Sequence, residues 1–211
     1  MTESPSPTLA WIRLGVVAGL ASCLVYPILV FLPVSGVMAA VLAAAWGPLL
    51  GTASMGLGRL LQVHRRSVAV QLAVALNITA GALVTSMLLV QLAVRARVHG
   101  GEVPPELIAV WLGLDVAWDV YVGLGTGLFA LAMLHHPRFG ATFGIAGVLI
   151  AAVLLALNLG TFPTPPADAG LFDAGPLVGL WYLAVSVQAW RSLGWAKTSL
   201  TAAASSRESI T

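Results

Sequence analysis

Charge is what this chain has least of. Only 9% of its 211 residues are charged, 59% are hydrophobic and the mean hydropathy is +0.95. Soluble domains carry about 25% charged residues, so a water-soluble fold would have too little polar surface to cover itself. The expected solvent is the hydrocarbon of a bilayer. A net charge of +2 comes from a few scattered arginines and not from the basic stripe that nucleic acid requires, so nucleic acid is excluded as a partner. The single cysteine, Cys23, rules out an intramolecular disulfide.

Enzyme signatures are wanting as well. There is no H-E-x-x-H and no G-x-S-x-G, and Gly123-x-Gly125-x-Gly127 lies in an apolar run without the strand of a nucleotide loop. Ser54 has no histidine or lysine near its expected depth to activate it. Gly113-Leu114-Asp115 misses the Gly-x-Gly-Asp pattern of intramembrane aspartyl hydrolases by one residue. None of the four histidines falls inside an apolar run where a transmembrane haem would need it. His135-His136 lacks further metal ligands. That turn is expected to sit at headgroup level, with its cations beside anionic lipid. No cofactor or metal is expected.

What the chain does have is length in its apolar runs. Six segments reach the roughly 20 residues a membrane helix needs: 9–32, 35–62, 68–94, 107–134, 141–160 and 176–193. The fold class expected is an all-α bundle of six transmembrane helices forming one domain over 9–198, with disordered tails at 1–8 and 199–211. The run Leu20-Ala21-Ser22-Cys23 resembles a lipobox, but apolar sequence continues to Leu32, so an uncleaved first helix is expected.

Lysine and arginine placement orients the bundle. With the N-terminus inside, Arg13, Arg59, Arg65, Arg66, Arg138, Arg191, Lys197 and Arg207 are cytoplasmic, and only Arg95 and Arg97 are external. This positive-inside bias predicts a multi-pass protein of a bacterial inner membrane with both termini in the cytoplasm. Glu102, Glu106, Asp168 and Asp173 then fall on the external side.

The fourth segment carries the candidate site. Asp115 and Asp119 lie four residues apart, on one helix face, roughly 13 and 19 Å below Glu106 at the helical rise. A carboxylate at that depth costs about 3 kcal/mol on insertion scales and usually serves a function. The acidic loops above it suggest a funnel for cations. Asn158, Tyr26, Gln91 and Tyr182 are the polar residues expected to complete a ligand- or ion-binding site; Asn158 stands out because an amide in hydrocarbon needs a partner. Two readings remain open: a site for a cation, proton or small polar ligand, or a structural network tying helices together.

Gly47-Pro48, in the second segment, predicts either a broken helix whose freed carbonyls bind an ion or a kink against small residues. Gly15–Gly19, Gly47–Gly51, Gly123–Gly127 and Gly140–Gly144 have the spacing that favours close helix packing, and a homodimer through such a face is plausible.

The stretches Trp118-Asp119-Val120-Tyr121-Val122-Gly123-Leu124-Gly125, His136-Pro137-Arg138-Phe139-Gly140, Asn158-Leu159-Gly160-Thr161-Phe162-Pro163 and Gly175-Pro176-Leu177-Val178-Gly179-Leu180-Trp181-Tyr182 together resemble a group of uncharacterised bacterial six-helix integral membrane proteins. The resemblance covers about half the chain, implies a compact polytopic protein, and brings no activity with it. The reading is therefore a small transporter, channel or sensor around Asp115 and Asp119. The alternatives are a structural or accessory membrane protein, or a membrane-embedded hydrolase.

Overall fold

A computed structural model describes residues 7–98 and 101–208. Among them there are seven helices and no strand: α1 (Pro7–Phe31), α2 (Gly36–His64), α3 (Val68–Val98), α4 (Pro105–Met133), α5 (Gly140–Thr161), α6 (Gly175–Arg191) and α7 (Leu193–Glu208). Five of these, α1 to α5, are long and apolar enough to cross a membrane. Starts are set by familiar chemistry. Ser35 caps α2, its hydroxyl accepting the Met38 N–H at 3.3 Å, and prolines occupy the first turns of α4 and α6.

The sixth segment is a helix within two residues of its expected bounds, but it is not among the five long spans. α6 has 17 residues, fewer than the roughly 20 of a full span. Its end is fixed by the turn between α4 and α5. The Ser192 hydroxyl donates to Gln188 O at 2.7 Å and accepts from Arg138 Nε at 3.4 Å, while Gln188 Nε2 donates to Arg138 O. These side-chain bonds hold the last turn of α6 as the chain turns away, and α7 begins one residue later. The expected disordered tail is helical as far as Glu208; residues 1–6 and 209–211 lie outside the described residues, as does His99.

Consecutive helices from α1 to α5 pack against each other, and α6 closes the ring against α1 and α5. The exterior is apolar: Phe31 is 76% and Val37 78% exposed, with similar side chains along every span. The interior holds the polar groups, Ser22, Ser54, Asn77, Asp119, Thr126 and Asn158 among them. An apolar surface around a partly polar interior is the pattern of a helical membrane protein, in which lipid replaces water.

Close approach of backbones makes the ring. A Cβ on Gly15 would stand 2.4 Å from Gly56 Cα, and one on Gly47 would meet Gly81 O at 2.2 Å. Gly140, at φ +70°, instead serves the turn before α5. Pro48 lies inside a continuous α2, and the helix is not broken there. Thr85 of α3 inserts its hydroxyl there, accepting from Gly47 N at 3.1 Å and donating to Ala43 O at 3.3 Å.

The α1–α2 crossing gives a direct test. Gly15→Val drives a side chain into the Gly56 backbone, which cannot retreat, and should cost about 1–3 kcal/mol or more. It is expected to abolish monodisperse elution in detergent. Gly179→Ala, where a Cβ meets nothing within 4 Å, should leave elution unchanged and thermal stability equal or higher.

Candidate functional site

Asp119 is buried at 6% exposure on the interior face of α4, and Asp115, one turn nearer the α3–α4 loop, is half-buried. The Asn158 amide of α5 stands within hydrogen-bonding reach of the Asp119 carboxyl. Its Nδ2 donates to Leu154 O at 3.1 Å, but its Oδ1, in a residue only 1% exposed, has no protein partner. A buried amide oxygen left unpaired costs about 1–3 kcal/mol. That oxygen beside a carboxyl needs a donor or a cation.

The segment between α5 and α6 covers this level with more negative charge. Asp173 and Asp168 act electrostatically on Asp115, and Asp115 and Asp173 act on Asp119. Asp173 is held in place by its own Oδ1, which accepts Gly175 N–H at 2.8 Å at the start of α6. Tyr26, exposed near the end of α1, lies within electrostatic reach of Asp173 and Asp115. Its ring is 5.9 Å from that of Trp46, which is in turn 5.9 Å from Trp118. Gln91, half-buried on α3, is not among the groups acting on either aspartate.

Against the carboxylate level packs an apolar layer of Ala80, Val122, Leu154 and Val178, which reaches up to Ala174 at the start of α6, none of them more than 4% exposed. Tyr182 lies below that layer, away from the aspartates. Its hydroxyl donates to Asn77 Oδ1 at 2.7 Å and accepts from Thr126 Oγ1 at 3.2 Å, and Asn77 Nδ2 closes the set by donating to Ala73 O at 2.9 Å. Three helices meet in this network, and Gly125 makes room for it, since a Cβ there would meet Asn77 Nδ2 at 2.2 Å. Ser54 Oγ, buried and without a protein partner, faces a cavity of about 20 Å³ that Tyr182 and Ser186 also line, room for one water.

Sequence reasoning named Asn158 but passed over Asn77, which the same rule would have found: an amide in the middle of an apolar run. Trp46 was equally visible as a large aromatic far from either end of its run. Among the described residues no three of His, Cys, Asp and Glu converge as a metal site.

A further buried ionisable group sits at the opposite, basic end. His136 is 2% exposed, not a headgroup cation, and its ring packs against His64, Phe139 and Trp195 at 5.2 to 5.4 Å. Its Nδ1 accepts the Arg138 N–H at 3.2 Å, which puts the ring proton on Nε2. Burial first, then the neighbouring His64, pushes its pKa down to about 4. Comparison of the chain with protein-family models, with curated proteins and with solved structures found no match.

Two outcomes follow from these geometries. Tyr182→Phe removes the group that Asn77 and Thr126 share and should cost about 1–3 kcal/mol, read as a lower thermal midpoint in detergent. His136 is neutral when folded and takes up a proton more readily when unfolded. Its contribution is therefore complete above the unfolded value of 6.5 and is lost as pH falls from there towards about 4. His136→Phe should flatten the slope of thermal midpoint against pH across that window.

Proposed function

We propose that the chain is a six-helix, multi-pass protein of a bacterial inner membrane, with both ends in the cytoplasm, that binds a small cation or proton from the external side at Asp115, Asp119 and Asn158. The excess of Lys and Arg at the end bearing His64, Arg138 and Arg191 supports the orientation. For α6 as the sixth span, the supporting fact is that Tyr182, midway along it, reaches α3 and α4 in the bundle interior.

The observation that carries the site is the unpartnered Oδ1 of Asn158, buried in the residue whose amide reaches the Asp119 carboxyl. A proton on Asp119 would satisfy it by donation, and a cation would satisfy it together with the carboxylate oxygens. The surrounding carboxylates raise the local concentration of cations and exclude anions. The apolar layer of Ala80, Val122, Leu154 and Val178 leaves the acids on the external side of a dry barrier. A sensor needs only this one-sided access; a transporter must also part the layer.

A structural role is favoured by one fact, that the Asp119 and Asn158 contact joins α4 to α5. The two readings separate with Asp119→Asn, which keeps shape and hydrogen bonding. Binding of protons or sodium by the purified chain, followed by ion flux in liposomes, should fall about tenfold or more in this variant while it still elutes as a folded species. Binding that survives in the Asp115→Asn, Asp119→Asn double variant overturns the proposal in favour of the structural role.

A further inference from the structure

Three aromatic side chains from three helices converge at the level of the carboxylates. Tyr26 of α1, Trp46 of α2 and Trp118 of α4 form a chain with successive ring centroids 5.9 Å apart, inclined at 33° and 47°. The rings are tilted and not stacked face to face. Trp46 is half-buried and lies ten residues into α2, about 15 Å along the helix. That is mid-membrane depth, where the tendency of tryptophan to gather at headgroups does not account for it. Trp118 follows Asp115 by three residues, so the aromatic chain ends on the flank of α4 that carries Asp115. Tyr26, at the other end, lies within electrostatic reach of Asp115 and Asp173.

Carboxylates alone do not select among cations. A hard divalent ion requires six or more oxygens, and no three acidic side chains converge here among the described residues. Aromatic faces next to isolated carboxylates instead suit a bulky, weakly hydrated cation, which gains from ring quadrupoles and needs no full oxygen shell. The unpaired Asn158 Oδ1 adds an acceptor for an N–H or O–H of the same guest.

We propose that the ligand of this site is an organic ammonium ion, held between the carboxylates of Asp115 and Asp119 and the aromatic wall of Tyr26, Trp46 and Trp118. This rests on the cation site proposed above and names its substrate class. The charged centre lies against the rings, and the polar end of the guest reaches Asn158. The Ala80–Val122–Leu154–Val178 layer forms the floor.

The test is equilibrium dialysis of radiolabelled choline against the purified full-length chain in detergent. Saturable binding is expected, displaced by tetramethylammonium far more effectively than by sodium, and not by dimethylbutanol, the uncharged isostere of choline, at equal concentration. Trp46→Leu should weaken binding about tenfold, the scale of a desolvated cation–π contact, and Trp46→Phe, which keeps a π face, should restore most of it. The competition series uses the wild-type chain, so it decides even where a tryptophan variant fails to fold. Displacement by dimethylbutanol as effective as by tetramethylammonium would reveal a merely apolar pocket and overturn the inference. So would displacement by sodium with Trp46→Leu unchanged. Absence of choline binding while Asp119-dependent proton or sodium binding persists overturns the ligand class and leaves the cation site standing; absence of both overturns the two together.

Discussion

Hydrocarbon accepts no hydrogen bond, and every level of this bundle is shaped by that constraint. Backbone groups are satisfied within the helices, and the polar side chains that remain must turn inward and find one another. They do so in tiers. The carboxylates meet Asn158 near one end, Tyr182 joins Asn77 and Thr126 lower down, and His136 packs among aromatic rings at the other end. Between the first two tiers, Ala80, Val122, Leu154 and Val178 exclude polar groups. The alternation distinguishes networks that are closed from one that is not. Tyr182, Thr126 and Asn77 exchange hydrogen bonds among themselves, whereas Asn158 keeps an acceptor unused beside an acid.

Glycine supplies the space these tiers occupy. In lipid there is little hydrophobic force between helices, so close packing has to hold them together. Gly15 against Gly56 and Gly47 against Gly81 bring backbones into contact. Other glycines admit side chains that would otherwise collide: Gly125 faces the Asn77 amide, and Gly147 faces the Trp181 indole, whose Nε1 donates to Phe143 O at 3.1 Å. Thr85 does related work at the Pro48 turn. Its single hydroxyl accepts from Gly47 N–H and donates to Ala43 O, the helical pair one position before the proline, and so ties α3 to this turn of α2.

The five long helices were legible because hydrophobic length is a local property. α1 to α5 fall within a few residues of the runs at 9–32, 35–62, 68–94, 107–134 and 141–160. α6, too, falls within two residues of its run at 176–193, but what fixes its end was not legible, because Arg138, Gln188 and Ser192 meet across some fifty residues of chain. The helical α7 was hidden for another reason: its polar composition reads as a solvated tail, whereas Trp195 packs on His136 and Ala196 is fully buried. Asp119 and Asn158 were each conspicuous as polar groups in apolar sequence. Their pairing was not, since it requires the register of α4 against α5. Tyr182 was placed with the acids on depth alone, and the apolar layer separates it from them. The small-residue spacings were half informative. Gly15, Gly19 and Gly47 are tightly packed, but Gly51 and Gly127 have only ordinary contacts and Gly140 serves a turn.

One-sidedness is the physical consequence that ties the site to the fold. Asp119 precedes Val122 of the apolar layer by about one turn of α4, and Thr126 of the Tyr182 network follows Val122 by another. A cation bound at Asp119 as proposed would meet, one turn further along α4 and α5, the buried side chains of Val122 and Leu154. Moving a charge into such a layer costs several kcal/mol without compensating partners, so such a guest would be retained or returned unless the helices rearranged. Ala80, the α3 member of the layer, immediately precedes Gly81, which packs on Gly47 at the proline turn of α2. The turn of α2 that holds Pro48 thus adjoins the apolar layer through α3. Binding from one side requires nothing of that junction; passage to the other side requires it to open.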